Sequence, residues 1–238
     1  MTSPRPSVVG HRGAPVHAPE NTLAGFRRAE QDGAAWLECD VHLSRDGQVV
    51  VMHDESIDRT AAADSARRTG ALAALTAAEL AEVRLEAGEP VPLLPELLAV
   101  TGVPLFIEVK APAAATAVGK LLAALPTSSP AAASTVISFH PEALAQVVRD
   151  APGTPVSLLV EQIDEAAVAA ATELGASGIG PGIDGLCLAA GRAVHAAGLR
   201  LNPWTVNTAE QLAVALACEA DTITTDDPAW LHARLDDR

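Results

Sequence analysis

The sequence lacks any run of about 18 apolar residues free of charge, glycine or proline, the length a membrane-crossing helix requires. No membrane span or stable membrane association is therefore expected. Residues 1–7 contain no apolar stretch, so no secretory leader is expected there. Cysteine is scarce. Cys39, Cys187 and Cys218 lie far apart and form no Cys-x-x-Cys pair. They read as reduced, small core residues of a cytoplasmic protein rather than as a disulfide or zinc site. Positive charge is also short: 16 Lys and Arg face 30 Asp and Glu, for a net charge of −14. A chain so poor in clustered cations offers little to a phosphate backbone, so no nucleic-acid partner is expected. An anionic substrate would need a local positive patch set against the overall field. No internal repeat is visible, and no long linker beyond the turn at 126–130.

What the chain does have is a sustained alternation of short apolar runs with helical patterns. Strands are expected at 7–10, 36–43, 105–109, 135–139, 156–160, 178–180, 200–205 and 222–224. Helices are expected at 22–31, 113–124, 141–149, 164–174, 186–197 and 209–218, with 228–234 closing the chain. Asn21-Thr22, Asp164 and Thr208 are cap candidates, and Pro141 suits a first helical position. Eight such cycles in 238 residues fit one α/β domain, residues 1–238, folded as a (β/α)8 TIM barrel. A doubly wound open sheet is the alternative. The alternation breaks after the second strand. Residues 48–52 are expected to pair back on that strand through the Asp46-Gly47 turn. Residues 55–95 then read as a small excursion, too short for a core of its own.

The apolar runs stop at chemistry. Val8-Val9-Gly10 leads into His11 and Arg12, Trp36-Leu37 into Glu38, and Val49-Val50-Val51-Met52 into His53. In a parallel barrel these positions share one rim. Period-two alternation puts Glu38 and Asp40 on one face and Cys39 on the other, and Glu108 and Lys110 repeat the pattern. Three carboxylates converging on one mouth call for a hard divalent cation, Mg²⁺ or Ca²⁺. His11 and His53 are candidates for proton transfer near neutrality. Arg12 offers a bidentate fork to a phosphate and Lys110 a point charge.

His11-Arg12-Gly13, Pro19-Glu20-Asn21-Thr22, Glu38-Cys39-Asp40-Val41, the Asp46-Gly47 to His53-Asp54 block and Arg59-Thr60 together resemble the glycerophosphodiester phosphodiesterase family. Ile107-Glu108-Val109-Lys110, Val136-Ile137-Ser138-Phe139, Trp204-Thr205-Val206-Asn207 and Ile223 to Pro228 extend the resemblance over nearly the whole chain. The resemblance implies a barrel enzyme that cleaves a small-molecule glycerophosphodiester to an alcohol and glycerol 3-phosphate. It implies Glu38, Asp40 and Glu108 as metal ligands, and His11 and His53 as acid and base. It also implies Arg12 and Lys110 on the phosphate and Trp204 against the glycerol. The departures are small. Ser44-Arg45 stands where Thr-Lys is more usual, and the segment after Thr60 is short of glycine and rich in alanine.

Two other readings remain open on the sequence. A lysophospholipase D would need an apolar channel, yet residues 55–95 hold few bulky apolar side chains (Ile57, Leu72, Leu75 and Leu80 among them) and no aromatic. A non-catalytic phosphodiester-binding protein would be marked by loss of a histidine, and both are present. No Ser or Cys in the matched motifs offers a covalent nucleophile, which leaves water or the substrate's own glycerol hydroxyl. His17 reads as a solvated loop residue, His42 as a supporting or surface residue and Trp36 as core.

Overall fold

The computed structural model describes residues 5–236. Residues 1–4, where the stretch read for a leader begins, and residues 237–238 lie outside the described chain. Strand β1 (Ser7–Gly10) leads through a long loop to α1 (Leu23–Gln31), whose first turn is capped by the Thr22 hydroxyl accepting from Gly25 N–H. Next come β2 (Trp36–Leu43) and β3 (Val49–Val51), then the excursion with α2 (Ala77–Leu80), then α3 (Leu94–Val100). Regular alternation resumes with β4 (Leu105–Val109), α4 (Ala115–Ala123), β5 (Thr135–Ser138), α5 (Pro141–Asp150), β6 (Val156–Val160) and α6 (Glu165–Glu173). It ends with β7 (Gly178–Pro181), α7 (Leu188–Ala196), β8 (Arg200–Leu201), α8 (Ala209–Ala217), β9 (Thr222–Thr225) and α9 (Pro228–Asp236).

Eight parallel strands follow the order β8-β7-β6-β5-β4-β2-β1-β9, and β3 pairs antiparallel on β2 as the Asp46-Gly47 turn predicts. The open-sheet alternative is excluded because the last strand returns to the first, with Val9 opposite Thr224. The remaining seam is closed by backbone bonds from Asp221 N to Leu201 O (2.9 Å), Thr224 N to Pro203 O (3.1 Å) and Val206 N to Thr224 O (2.8 Å). The expected strand 200–205 is regular only over its first two residues. Pro203 has no N–H to give, which interrupts the ladder there.

Alternation along each strand creates two apolar layers. Outward residues such as Cys39, Val41, Ile107 and Val109 pack under the helices. Inward, Val9, Phe106, Ile137 and Leu159 fill the barrel with Trp36 and Trp204 packed against them. Trp36 stacks on Phe106 at 4.9 Å, so it does belong to the core, at the end of the barrel away from the polar rim. The excursion differs from expectation. Val50, Met52, Ile57, Leu72, Leu75, Leu80, Val83, Leu85 and Val91 form a buried cluster separate from the barrel's. It succeeds in a short segment because Val50 and Met52, at the end of the hairpin, supply one wall. Helix α3 lies outside the elements expected from sequence. Its Leu94, Leu97 and Leu98 are buried at helical spacing, with Pro95 in the first turn.

Candidate active site

Glu38, Asp40 and Glu108 face the barrel interior from two adjacent strands whose register sets Asp40 beside Glu108. One oxygen from each lies within 4.8 Å of the others. Glu38 and Asp40 are buried. Glu38 Oε2 accepts from Arg12 N–H at 2.9 Å, while its Oε1 is buried with no hydrogen-bond partner. Asp40 Oδ2 accepts from Asn21 Nδ2 at 2.9 Å. Lys110 Nζ stands 2.9 Å from Glu108 and 3.4 Å from Asp40. Burial, with Asp40 and Glu108 alongside, pushes the Glu38 carboxyl well above its ordinary value, and burial beside Asp40 raises Glu108 as well. Asp40 goes the other way: burial opposes its charge, but Lys110, Arg12 and the Asn21 hydrogen bond outweigh it. Oxygen-only donors, an orphaned carboxylate oxygen and mutual repulsion suit a hard divalent cation, which this trio could hold.

The loop after β1 is bent to serve this cluster. Arg12 and Asn21 both adopt left-handed backbone, at φ 51° and 53°. That geometry is costly for residues with a side chain and marks a constrained site. Here it aims Arg12 N–H at Glu38, and Asn21 N–H closes on Arg12 O at 2.9 Å. Gly13 (φ 92°) packs so close to α1 that a Cβ would lie 2.7 Å from the Gly25 backbone. The Arg12 side chain reaches Glu20 (3.2 Å) and Asp40 (3.4 Å).

Both histidines are held at Nδ1 by a carboxylate. His11 Nδ1 lies 2.6 Å from Asp226 Oδ1, and its Nε2 stands 4.0 Å from Glu38. Asp226 is in turn held by Asn207, whose Nδ2 donates to it at 2.6 Å. Its carboxyl sits below the ordinary value because the bonds from His11 and Asn207 outweigh burial. His53 Nδ1 lies 2.7 Å from Asp54 Oδ1, and the His53 carbonyl pairs with His42 Nε2 at 3.0 Å. His42 thus steadies the loop that carries His53, and burial lowers its pKa. Asp54 is drawn down to about 2, chiefly by its hydrogen bonds from Arg59.

A cavity of about 290 Å³ opens above these groups, lined among others by His11, Arg12, His53, Lys110, Phe139 and Trp204. Of the eight residues expected from sequence, seven line it. Asp40 stands just behind, touching Arg12 and Lys110. The Trp204 ring is fixed by Nε1 donating to Gly180 O at 2.9 Å, and Phe139 meets it edge-on at 5.6 Å. With metal-competent carboxylates, two oriented imidazoles and two cations around one space, the arrangement can bind a phosphate and move protons on either side of it.

The model of the glycerophosphoryl diester phosphodiesterase family matches residues 11–230. The chain belongs to that family. A glycerophosphodiester phosphodiesterase from Caldanaerobacter subterraneus is 30% identical over 94% of this chain and 95% of its own length. Among solved structures, a phosphodiesterase from Oleispira antarctica in complex with the product sn-glycerol-3-phosphate superposes with a TM-score of 0.88. It is 26% identical and covers 97% of both chains. A glycerophosphodiester phosphodiesterase from Agrobacterium tumefaciens superposes at 0.79, 26% identical over 96% of this chain and 99% of that one. The activity is accordingly that of a phosphoric diester hydrolase acting on glycerophosphodiesters.

Sequence reasoning missed the groups that hold these side chains in place. Of the Asn21-Thr22 cap candidates, Thr22 caps α1, and Asn21 instead holds Asp40. Asp54 and Asp226 stand in the sequence only as parts of family-like blocks, yet each binds a histidine. Their position directly beside His53, or at a strand end like His11, was the available signal. Phe139 stands in a family-like block with no role assigned to it, while Ser157 and Glu161, which also line the cavity, carry no signal in the sequence. His17 pairs with Asp227 at 3.2 Å, outside the cavity. Among the described residues no helix is long and apolar enough to cross a membrane.

Proposed function

We propose that the chain hydrolyses glycerophosphodiesters to an alcohol and glycerol 3-phosphate with a divalent cation, Mg²⁺ or Ca²⁺, held by Glu38, Asp40 and Glu108. The observation that carries this reading is the buried carboxylate trio with its unpartnered Glu38 Oε1. A cation bound there supplies Lewis acidity toward the phosphate and the oxygens around it. The product sn-glycerol-3-phosphate, seen with the Oleispira antarctica relative, is the product assigned here.

Arg12 and Lys110 take the phosphate oxygens. The Trp204 ring, its tilt fixed by Gly180, packs the carbon face of glycerol. His11 and His53 act as a pair. With Nδ1 committed to Asp226 and Asp54, each ring presents Nε2 for proton transfer. Cys39 faces the outer core, and Ser157 on the cavity wall has no hydrogen-bond partner to activate it. Of the two remaining nucleophiles, water and the glycerol hydroxyl next to the phosphate, proximity favours the hydroxyl. One histidine takes its proton as the new O–P bond forms, and the other protonates the departing alcohol oxygen as the old O–P bond breaks. Water then opens the cyclic phosphate to glycerol 3-phosphate.

Residues 1–238 work as one catalytic unit with 55–95 as a segment of it, in a cytoplasmic setting that suits the buried free thiols of Cys39 and Cys218. A lysophospholipase D reading is less favoured. Ile57, Leu72, Leu75 and Leu80 are spent inside the excursion's own cluster and are not available to an acyl chain. The test is hydrolysis of glycerophosphocholine with and without chelator, beside His11→Ala and His53→Ala. Chelation should abolish turnover, and each variant should lose at least about two orders of magnitude. Wild-type rates after complete chelation would overturn the metal assignment.

A further inference from the structure

Arg59 leaves the excursion and grips two carboxylates at once. Its Nη1 and Nη2 donate to Glu20 at 2.9 and 2.7 Å, and its Nε and Nη2 donate to Asp54 at 2.6 and 3.1 Å. Each carboxylate continues inward. Asp54 holds His53 Nδ1 at 2.7 Å, and Glu20 holds Arg12 Nη1 at 3.2 Å. The result is one chain of alternating charge, Arg12–Glu20–Arg59–Asp54–His53. It joins the phosphate-side cation to a proton-transfer histidine across 39 positions between Glu20 and Arg59.

We propose that Arg59 is a positioning residue that sets both ends of the reaction: it fixes the tautomer and tilt of His53 through Asp54, and it keeps Arg12 available to phosphate by occupying Glu20. This rests on the roles given to His53 and Arg12 above. The double fork is the reason for arginine. A planar guanidinium can serve two carboxylates bidentately, whereas an ammonium is a single point. Without Arg59, Asp54 loses the partner that aims it, and His53 loses its orientation. Glu20, shared with Arg59 in the native site, becomes free to pair fully with Arg12 and compete with the substrate's phosphate.

The two ends separate kinetically. Arg59→Met should lower kcat by roughly 10–100-fold, the range found when groups supporting a site are removed, and should also raise KM. Arg59→Lys should not restore either. In a Glu20→Gln background, Arg59→Met should still lower kcat and should no longer raise KM, because the competitor for Arg12 is gone. Leu80→Ala, buried in the excursion's own cluster, is the control for loosening the segment. Thermal melts of all variants accompany the kinetics with the metal-loaded protein. If Arg59→Met keeps wild-type kcat and KM, or loses only what Leu80→Ala loses at an equal fall in Tm, Arg59 is structural and the proposal fails. His53→Ala is assayed in parallel. If it retains turnover, the reading of His53 fails instead, whatever Arg59 does.

Discussion

His11 Nδ1 sits 2.6 Å from Asp226 Oδ1 although the two residues are 215 positions apart. The contact spans the seam at which β9 returns to β1, so barrel closure and histidine orientation are one structural event. Asp226 stays ionised because its bonds from His11 and Asn207 outweigh its burial. An ionised carboxylate accepts only, which obliges His11 to carry its proton on Nδ1 and to turn Nε2 toward Glu38.

Asp226→Asn should therefore be more damaging than its small change in shape suggests. The amide can offer N–H to Nδ1 and favour the wrong tautomer. kcat should fall roughly 100-fold or more, with KM little altered. Steady-state kinetics on glycerophosphocholine checks this, and a fall in Tm without a fall in kcat would remove Asp226 from the orientation of His11.

Metal binding should release protons and depend on pH in a defined direction. Burial and the neighbouring carboxylates raise Glu38 and Glu108 above the ordinary value of 4.5. A carboxyl raised in the folded state favours folding while protonated, and that contribution is lost as pH rises through its raised folded pKa. The chelated protein should accordingly lose stability as pH climbs above the ordinary carboxyl range. A cation answers the same repulsion, so the Tm increase on adding Mg²⁺ or Ca²⁺ should grow with pH. Melts with chelator and with metal across pH 5 to 8 would show it, the window being about that of carboxylate and histidine titration. An equal increase at every pH would mean that these carboxyls are already ionised without the metal.

The site-bearing strands were legible because each is an apolar run that ends at charge. Period-two alternation places Glu38 and Asp40 on one face, as Cys39 in the outer core bears out, and the parallel register of β2 and β4 brings Glu108 beside them. What was not legible is pairing at a distance. Nothing local in Asp226 or Arg59 announces a partner in another loop, since the closing of the barrel and the docking of the excursion create those contacts. The left-handed backbone at Arg12 and Asn21 was equally hidden, because neither is glycine and the tertiary hydrogen bonds, not propensity, hold it. The excursion's cluster is hidden in the sequence for a related reason. Ile57, Leu72 and Leu80 follow no helical or strand period, and their burial depends on Val50 and Met52 beneath them.

Trp204→Ala should act on binding. The ring is an apolar wall pinned at Nε1 and braced by Phe139, at a rim otherwise filled with charge. Losing that wall should raise KM on the order of ten-fold and leave kcat close to wild type, the usual scale for one apolar contact in a pocket. A collapse of kcat at constant KM would instead place the ring in the transition state.

The nucleophile can be decided with substrate chemistry rather than mutation. Ser157 lines the cavity without a hydrogen-bond partner, and Cys39 lies in the outer core with its thiol pushed well up by burial. The glycerol hydroxyl beside the phosphate is already held at reacting distance by the molecule being cleaved. Such an arrangement is worth on the order of 7 kcal/mol over a free nucleophile in favourable cases. A glycerophosphodiester should therefore be cleaved, and its 2-deoxy analogue should be inert while still binding as a competitive inhibitor through Arg12, Lys110 and Trp204. A transient cyclic phosphate, followed by ³¹P NMR with the normal substrate, should precede glycerol 3-phosphate. Cleavage of the deoxy compound at a comparable rate would rule out cyclisation and make water, deprotonated by one of the two histidines, the attacking group.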